Sequence, residues 1–207
     1  MNMKLNFLTT VLDQTKSDAD SGKRVCAYII DWFVGALVIS FPLCIAWMFK
    51  TQDIEHMQEV NLFRLQNIQG TNFAIMIGII AFAACVWYYI WLPYKVTPGQ
   101  TFGKKVMGLK MVKSDGSQLL LKDLIIRQGI GIILLEGVLC NGSSLLHDMI
   151  TLVTHLNFTG ILFYISLTIT CISVLMSMLA PSRRMLHDYL GNTKVMAAPI
   201  EGIDQKI

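Results

Sequence analysis

The chain alternates long apolar runs with shorter polar ones. The runs cover residues 25–49, 73–92, 124–140 and 158–180. Each is long enough, or nearly so, to cross a bilayer core, which takes about 20 helical residues. The pattern therefore predicts an all-α integral membrane protein with four transmembrane helices. The third run is the weakest, because it carries Glu136 and the poor helix formers Gly129, Gly131 and Gly137. It reads as short, tilted or partly re-entrant. Pro42 in the first run marks a kink, and Pro181 ends the fourth.

The polar stretches predict smaller elements. In residues 1–21, Leu5, Leu8, Val11 and Leu12 stand at helical spacing before the chain turns polar, which suits either a surface helix or a tail. Residues 106–112 and 118–121 flank Ser114-Asp115-Gly116, whose Asp-Gly signals a turn, so a small β-hairpin is expected there. Asp123 is the expected N-cap of the third span. In residues 141–157, Leu145, Leu146, Met149, Ile150, Val153 and Leu156 fall on one helical side, the pattern of an amphipathic helix on the outer surface. Residues 182–196 predict a short helix, capped by Ser182 and stopped by Gly191, then an extended piece that would add a strand to the hairpin. The organisation is an N-terminal segment over 1–22, a membrane domain over 23–196 and a tail over 197–207.

Composition agrees with this class: 54% of the 207 residues are hydrophobic, 15% are charged, and the mean hydropathy is +0.53. Charge sets the orientation. Lys4, Lys16, Lys23 and Arg24 precede the first run; Lys95, Lys104, Lys105, Lys110, Lys113, Lys122 and Arg127 lie between the second run and the start of the third; Arg183, Arg184, Lys194 and Lys206 follow the fourth. The opposite loops hold only Lys50 and Arg64. Basic loops stay inside, so both termini are expected in the cytoplasm, with the protein multi-pass in the plasma membrane. The net charge of +3 then reads as topology and attraction to anionic lipids rather than nucleic-acid binding. Residues 1–21 lack a secretory signal pattern. The five cysteines are scattered through the apolar runs without a CxxC pair, which implies neither a disulfide framework nor a zinc site.

Candidate chemistry centres on Asp31. On a helix Arg24, Tyr28, Asp31 and Gly35 share a face, with the carboxylate about 10 Å further along than Arg24. An intramembrane carboxylate costs about 2.5–3.5 kcal/mol to insert and so normally faces a partner, a bundle interior or a watery path. Glu136 is a second candidate, unless it reaches outer water. Arg127 is expected to snorkel to the inner surface. Residues 99–105 fall short of a phosphate loop, with three residues instead of four before Gly103-Lys104 and Lys105 where Ser or Thr belongs. His147, Asp148 and His155 lack the spacing of a helical metal pair. No nucleophile with its base, cofactor motif or metal cluster is legible, so neither an enzyme nor a bound cofactor is expected.

Three stretches together resemble the RDD family of membrane proteins, named for one arginine and two aspartates. They are RVCAYIID with Arg24, Ala27 and Asp31; GQTFGKKVMGLKMV with the SDG turn; and RMLHDYLGNTKV with Arg184, His187, Asp188 and Thr193. The resemblance makes Arg24, Asp31 and Asp188 the name-giving positions and implies a transporter, with some members similar to exchangers of monovalent cations (Na+, Li+, K+) for protons. Asp31 would then bind a proton or a small cation, Arg24 would tune it, and Asp188, His187 and Arg184 would serve the cytoplasmic mouth. A homo-oligomer or a membrane protein partner is expected, because four helices are few for alternating access. Two other readings stand beside it. Arg24 and Asp188 would simply pair and stitch the first helix to the tail, or the protein would be a membrane scaffold or lipid-interacting assembly partner without transport.

Overall fold

The computed structural model describes residues 12–198. Helix α1, Ser21–Thr51, opens where the Asp20 carboxylate accepts the Lys23 N–H at 3.0 Å. It closes at Gln52, which takes the left-handed conformation and donates its N–H to the Met48 carbonyl. It runs through Pro42 without a break. A 3-10 turn, Met57–Glu59, and helix α2, Leu62–Gln69, lead to α3, Thr71–Val86, which continues as a wider π-helical segment, Trp87–Val96. After α4, Phe102–Val106, and strand β1, Leu109–Lys113, comes α5, Leu121–Leu124, prolonged by the π-helical segment Ile125–Leu135. A 3-10 turn, Gly137–Leu139, precedes α6, Asn141–Thr154; α7, Phe158–Leu179, α8, Leu186–Leu190, and β2, Thr193–Ala197, complete the described chain.

Three helices are long and apolar enough to cross a membrane: Ser21–Thr51, Thr71–Val96 and Phe158–Leu179. Their faces show what surrounds them. On α1 the buried residues Ala27, Asp31, Gly35, Ile39, Leu43 and Trp47 recur every fourth position, while Val25, Ile29, Phe33, Leu37, Phe41 and Phe49 are exposed. An apolar exterior of this extent suits hydrocarbon, not water. Helix α7 goes further, for its buried residues are Ser166, Thr170 and Ser173, and most of its leucines and isoleucines are exposed. Where both lipid and interior are apolar, hydroxyls and small residues provide the helix contacts. On α3 these are Ala74, Gly78 and Ala81. The aromatic cluster at its end divides: Trp87 and Trp91 are exposed, and Tyr88 and Tyr89 turn inward.

The structure departs from several expectations. Residues 124–140 are not one continuous helix. The chain leaves helical geometry at Glu136, where Gly137 lies so close to Ser143 that a methyl group there would overlap its hydroxyl, and helix restarts at Asn141. Helix α6 is consequently no free surface helix: Gly78 of α3 brings the Met149 side chain close, and Thr151 bonds Thr159 of α7 at 2.9 Å. The two strands form no local hairpin. Asp115 closes the turn by accepting the Ser117 N–H, but residues 118–121 enter α5, and β1 pairs antiparallel with β2, with Met111 opposite Val195. Asp123 caps α5 from inside its first turn, accepting the Leu120 N–H at 2.9 Å, and Ser182 does not cap α8, whose N-cap is Met185. The chain over 12–20 is not helical, and Leu5, Leu8 and Val11 lie outside the described residues.

Gly35 provides a test of the α1–α3 contact, since a methyl group there would sit 2.2 Å from the Tyr89 hydroxyl oxygen. Gly35→Ala is expected to cost about 1–3 kcal/mol through overpacking, read as a lower midpoint of thermal unfolding in detergent. Adding Tyr89→Phe should recover part of the loss. A midpoint unchanged by Gly35→Ala would mean that the helices do not approach in this way.

Candidate functional site

Three buried polar clusters lie toward the Arg24 end of the bundle. In the first, Asp31 is 4% exposed and surrounded by donors. Tyr88 donates its hydroxyl to Oδ1 at 2.7 Å, the Gly103 N–H donates to Oδ1 at 2.8 Å, and Thr101 donates its hydroxyl to Oδ2. Lys104 brings Nζ to 3.3 Å from Oδ2, and Tyr89 donates to the Asp31 carbonyl at 2.9 Å. Gly103 is required, because a methyl group there would lie 2.2 Å from the Ala27 carbonyl oxygen. The stretch that falls short of a phosphate loop thus holds a carboxylate. Burial pulls the Lys104 amine below the ordinary lysine range, against the opposing pull of Asp31. Along α1, Asp31 is about 28 Å from Lys50, so the carboxylate stands near one boundary of a core about 30 Å thick.

The second cluster is built on Asp188, whose side chain is fully buried. Arg127 grips its Oδ1 through Nε at 3.0 Å and Nη2 at 2.8 Å, while Arg24 Nη2 reaches Oδ2 at 3.4 Å. The Met185 N–H and the Thr193 hydroxyl donate as well. Arg184 approaches from outside, donating to the Asp188 carbonyl and the Asp13 carboxylate and stacking over the Tyr189 ring at 4.3 Å. Burial alone would raise the Asp188 pKa, but the charges of Arg127, His187 and Arg24 hold it well below the usual carboxylate range.

In the third cluster Glu136, 2% exposed, sits at the break between Ile125–Leu135 and α6. Its Oε2 faces His187 Nδ1 at 2.8 Å; its Oε1 accepts the His187 N–H and the Ser173 hydroxyl, each at 2.8 Å. Thr170 donates to its carbonyl at 3.0 Å. Gly131 lets α8 approach this closely, since a methyl group there would meet His187 Cβ at 2.5 Å. His187 Nε2 lies 3.8 Å from Asp188 Oδ1, so the second and third clusters are continuous.

Of the residues singled out from sequence, Arg24 and Asp188 meet, Arg184 and His187 join them, and Glu136 is drawn in rather than reaching outer water. Asp31 stands apart from Asp188 with partners of its own. Arg127 does not snorkel: it is 2% exposed and is the principal partner of Asp188. Thr101, Lys104, Tyr88 and Ser173 were not singled out either. Thr101 and Lys104 lie in the stretch that falls short of a phosphate loop, and Tyr88 and Ser173 are residue types common in any span. Among the described residues no group of three or more His, Cys, Asp or Glu is placed to hold a metal ion.

The RDD family model matches residues 19–192, and the chain belongs to that family. No curated protein and no solved structure matches it.

Asp188→Asn leaves Arg127 and Arg24 without their counter-charge and is expected to cost about 3–5 kcal/mol at neutral pH. Because folding lowers the Asp188 pKa, its contribution is complete above the ordinary carboxylate pKa of about 3.9 and is lost as pH falls through that value toward the folded one. Thermal unfolding from pH 7 to pH 3 should therefore show a steep acid loss in the native chain and a shallower one in Asp188→Asn. Equal slopes would assign the acid loss to other groups.

Proposed function

We propose that this RDD family protein exchanges a monovalent cation for a proton, with the buried Glu136–His187 pair as the element that binds them. The observation that carries this reading is a carboxylate at a break between helical segments, enclosed by the bundle and bonded to an imidazole. Discontinuous helices provide ion sites in transporters because their interrupted ends carry free backbone groups. Imidazole is the side chain suited to gain and lose a proton near neutral pH. With His187 protonated, the pair is neutral overall. When the proton leaves, the carboxylate keeps an uncompensated charge in a buried place, a costly state that a small cation beside Glu136 and Ser173 relieves. One cation in for one proton out keeps the charge of the site constant.

Asp188, held ionised by Arg127, lies next to His187 as a fixed negative charge and does not itself carry the proton. Asp31 is the fixed anchor of the segment containing Thr101 and Lys104, since its oxygens already have four donors. The basic residues at the Arg24 end support a reading with both termini in the cytoplasm of a plasma-membrane protein, in contact with anionic lipid. Residues 121–154 make the remaining crossing in two pieces, and the protein works as a homo-oligomer. No catalytic role is assigned. The second reading, a membrane scaffold, draws support from the full set of partners around Asp31 and Asp188, which suits rigid pairing.

The test is proton-coupled flux in proteoliposomes under sodium, lithium or potassium gradients. Native protein should give flux above empty vesicles, folded Glu136→Gln should abolish it, and Asp31→Asn should retain it in the fraction that remains folded. No flux in the native protein overturns exchange in favour of the scaffold; native-like flux in Glu136→Gln overturns this site.

A further inference from the structure

Outside these clusters, two cysteines meet at the start of α6. Cys140 is its N-cap residue and is 2% exposed; Cys85, in the last turn of α3, is fully buried. Gly142 lies between them. A methyl group on it would sit 2.4 Å from Cys85 Sγ and 3.5 Å from Cys140 Sγ, so the sulfurs are no more than about 6 Å apart, a gap that side-chain rotation can close. Cys140, as the N-cap residue, stands at the first N–H groups of α6, and its carbonyl accepts the Ser143 N–H at 3.0 Å. Such N–H groups at a helix start favour the thiolate, the reactive form of cysteine. The remaining cysteines have no such arrangement: Cys26 and Cys171 are exposed, and Cys44 is half-buried with its thiol on the Met57 carbonyl.

We propose that Cys85 and Cys140 are a modification site, a dithiol that a small hydroperoxide oxidises to an intramolecular disulfide. The Cys140 thiolate attacks the peroxide, the O–O bond breaks, and the departing oxygen takes a proton, leaving a sulfenic acid. The Cys85 sulfur then attacks the Cys140 sulfur, the S–O bond breaks, and the hydroxide leaves with the Cys85 proton as water. Two thiols and one hydrogen peroxide give one disulfide and two waters. The bond ties α3 to the start of α6, a short distance along the chain from Glu136. Only Val86 separates Cys85 from the segment whose Tyr88 and Tyr89 hold Asp31. Oxidation therefore locks the broken crossing against α3.

The full chain with Cys26, Cys44 and Cys171 changed to serine is exposed to hydrogen peroxide in nanodiscs, unfolded in detergent with a maleimide, and measured by intact mass and peptide mapping. The expected result is a chain two hydrogens lighter, with neither thiol labelled and a linked Cys85–Cys140 peptide, and with both thiols recovered by dithiothreitol. Adding Cys85→Ser should leave Cys140 as a sulfenic acid trapped by dimedone. The native chain is mapped in parallel, so misfolding of the serine variant cannot decide the outcome. Both thiols still labelled after peroxide, or cross-links only to other cysteines, would overturn the proposal.

Discussion

The Asp188 carboxylate is the constraint on which the Arg24 end of the bundle depends. Its partners come from the start of α1 and from the segment that follows α5, and its own helix follows the last span. A lone charge in an apolar bundle is very costly, whereas a charge with several donors is not, so the arrangement that satisfies Asp188 excludes alternatives in which α1, α5 and α8 lie elsewhere. Such a clamp contributes position more than net stability. It also carries β2, which begins at Thr193, back to β1.

The spans themselves provide little of this specificity. With hydrocarbon outside and apolar side chains inside, burying a leucine against another helix gains little over leaving it in lipid. The inner faces accordingly hold glycines, alanines, tyrosine hydroxyls and the Ser166–Thr170–Ser173 stripe. The last of these lies against the chain break, with Thr170 and Ser173 bonded to Glu136 and Ser166 near Gly137. The break and the stripe need each other, because the interrupted backbone requires hydroxyl partners and the hydroxyls require acceptors.

Asp31 is a name-giving position whose carboxylate is fully engaged by its neighbours. Its isolation in an apolar run marked it as functional, yet Tyr88, Thr101, Gly103 and Lys104 make it the acceptor on which a connecting segment is folded. Glu136, which the family pattern left unexplained, holds the only imidazole bonded to a buried carboxylate among the described residues. The buried carboxylate with an imidazole partner is thus the glutamate at the discontinuous helix, not the aspartate in the continuous one.

The amino-acid sequence by itself determined the membrane class, the three long helices, the turn at Asp115-Gly116 and the family motifs that contain Arg24, Asp31 and Asp188. These follow from apolar run length, local turn chemistry and motifs that adjacent residues carry. Tertiary structure alone decided that β1 pairs with β2 and with no strand at 118–121, that residues 124–140 break at Glu136, that Arg127 turns inward and that Cys85 meets Cys140. Arg24 and Asp188 are 164 residues apart, and Arg127 and Asp188 are 61 apart. Periodicity reports which face of a helix is apolar over a few turns. Which distant donor reaches a buried carboxylate depends on how helices pack, and glycines such as Gly103, Gly131 and Gly142 permit those approaches only once the partner elements are in place.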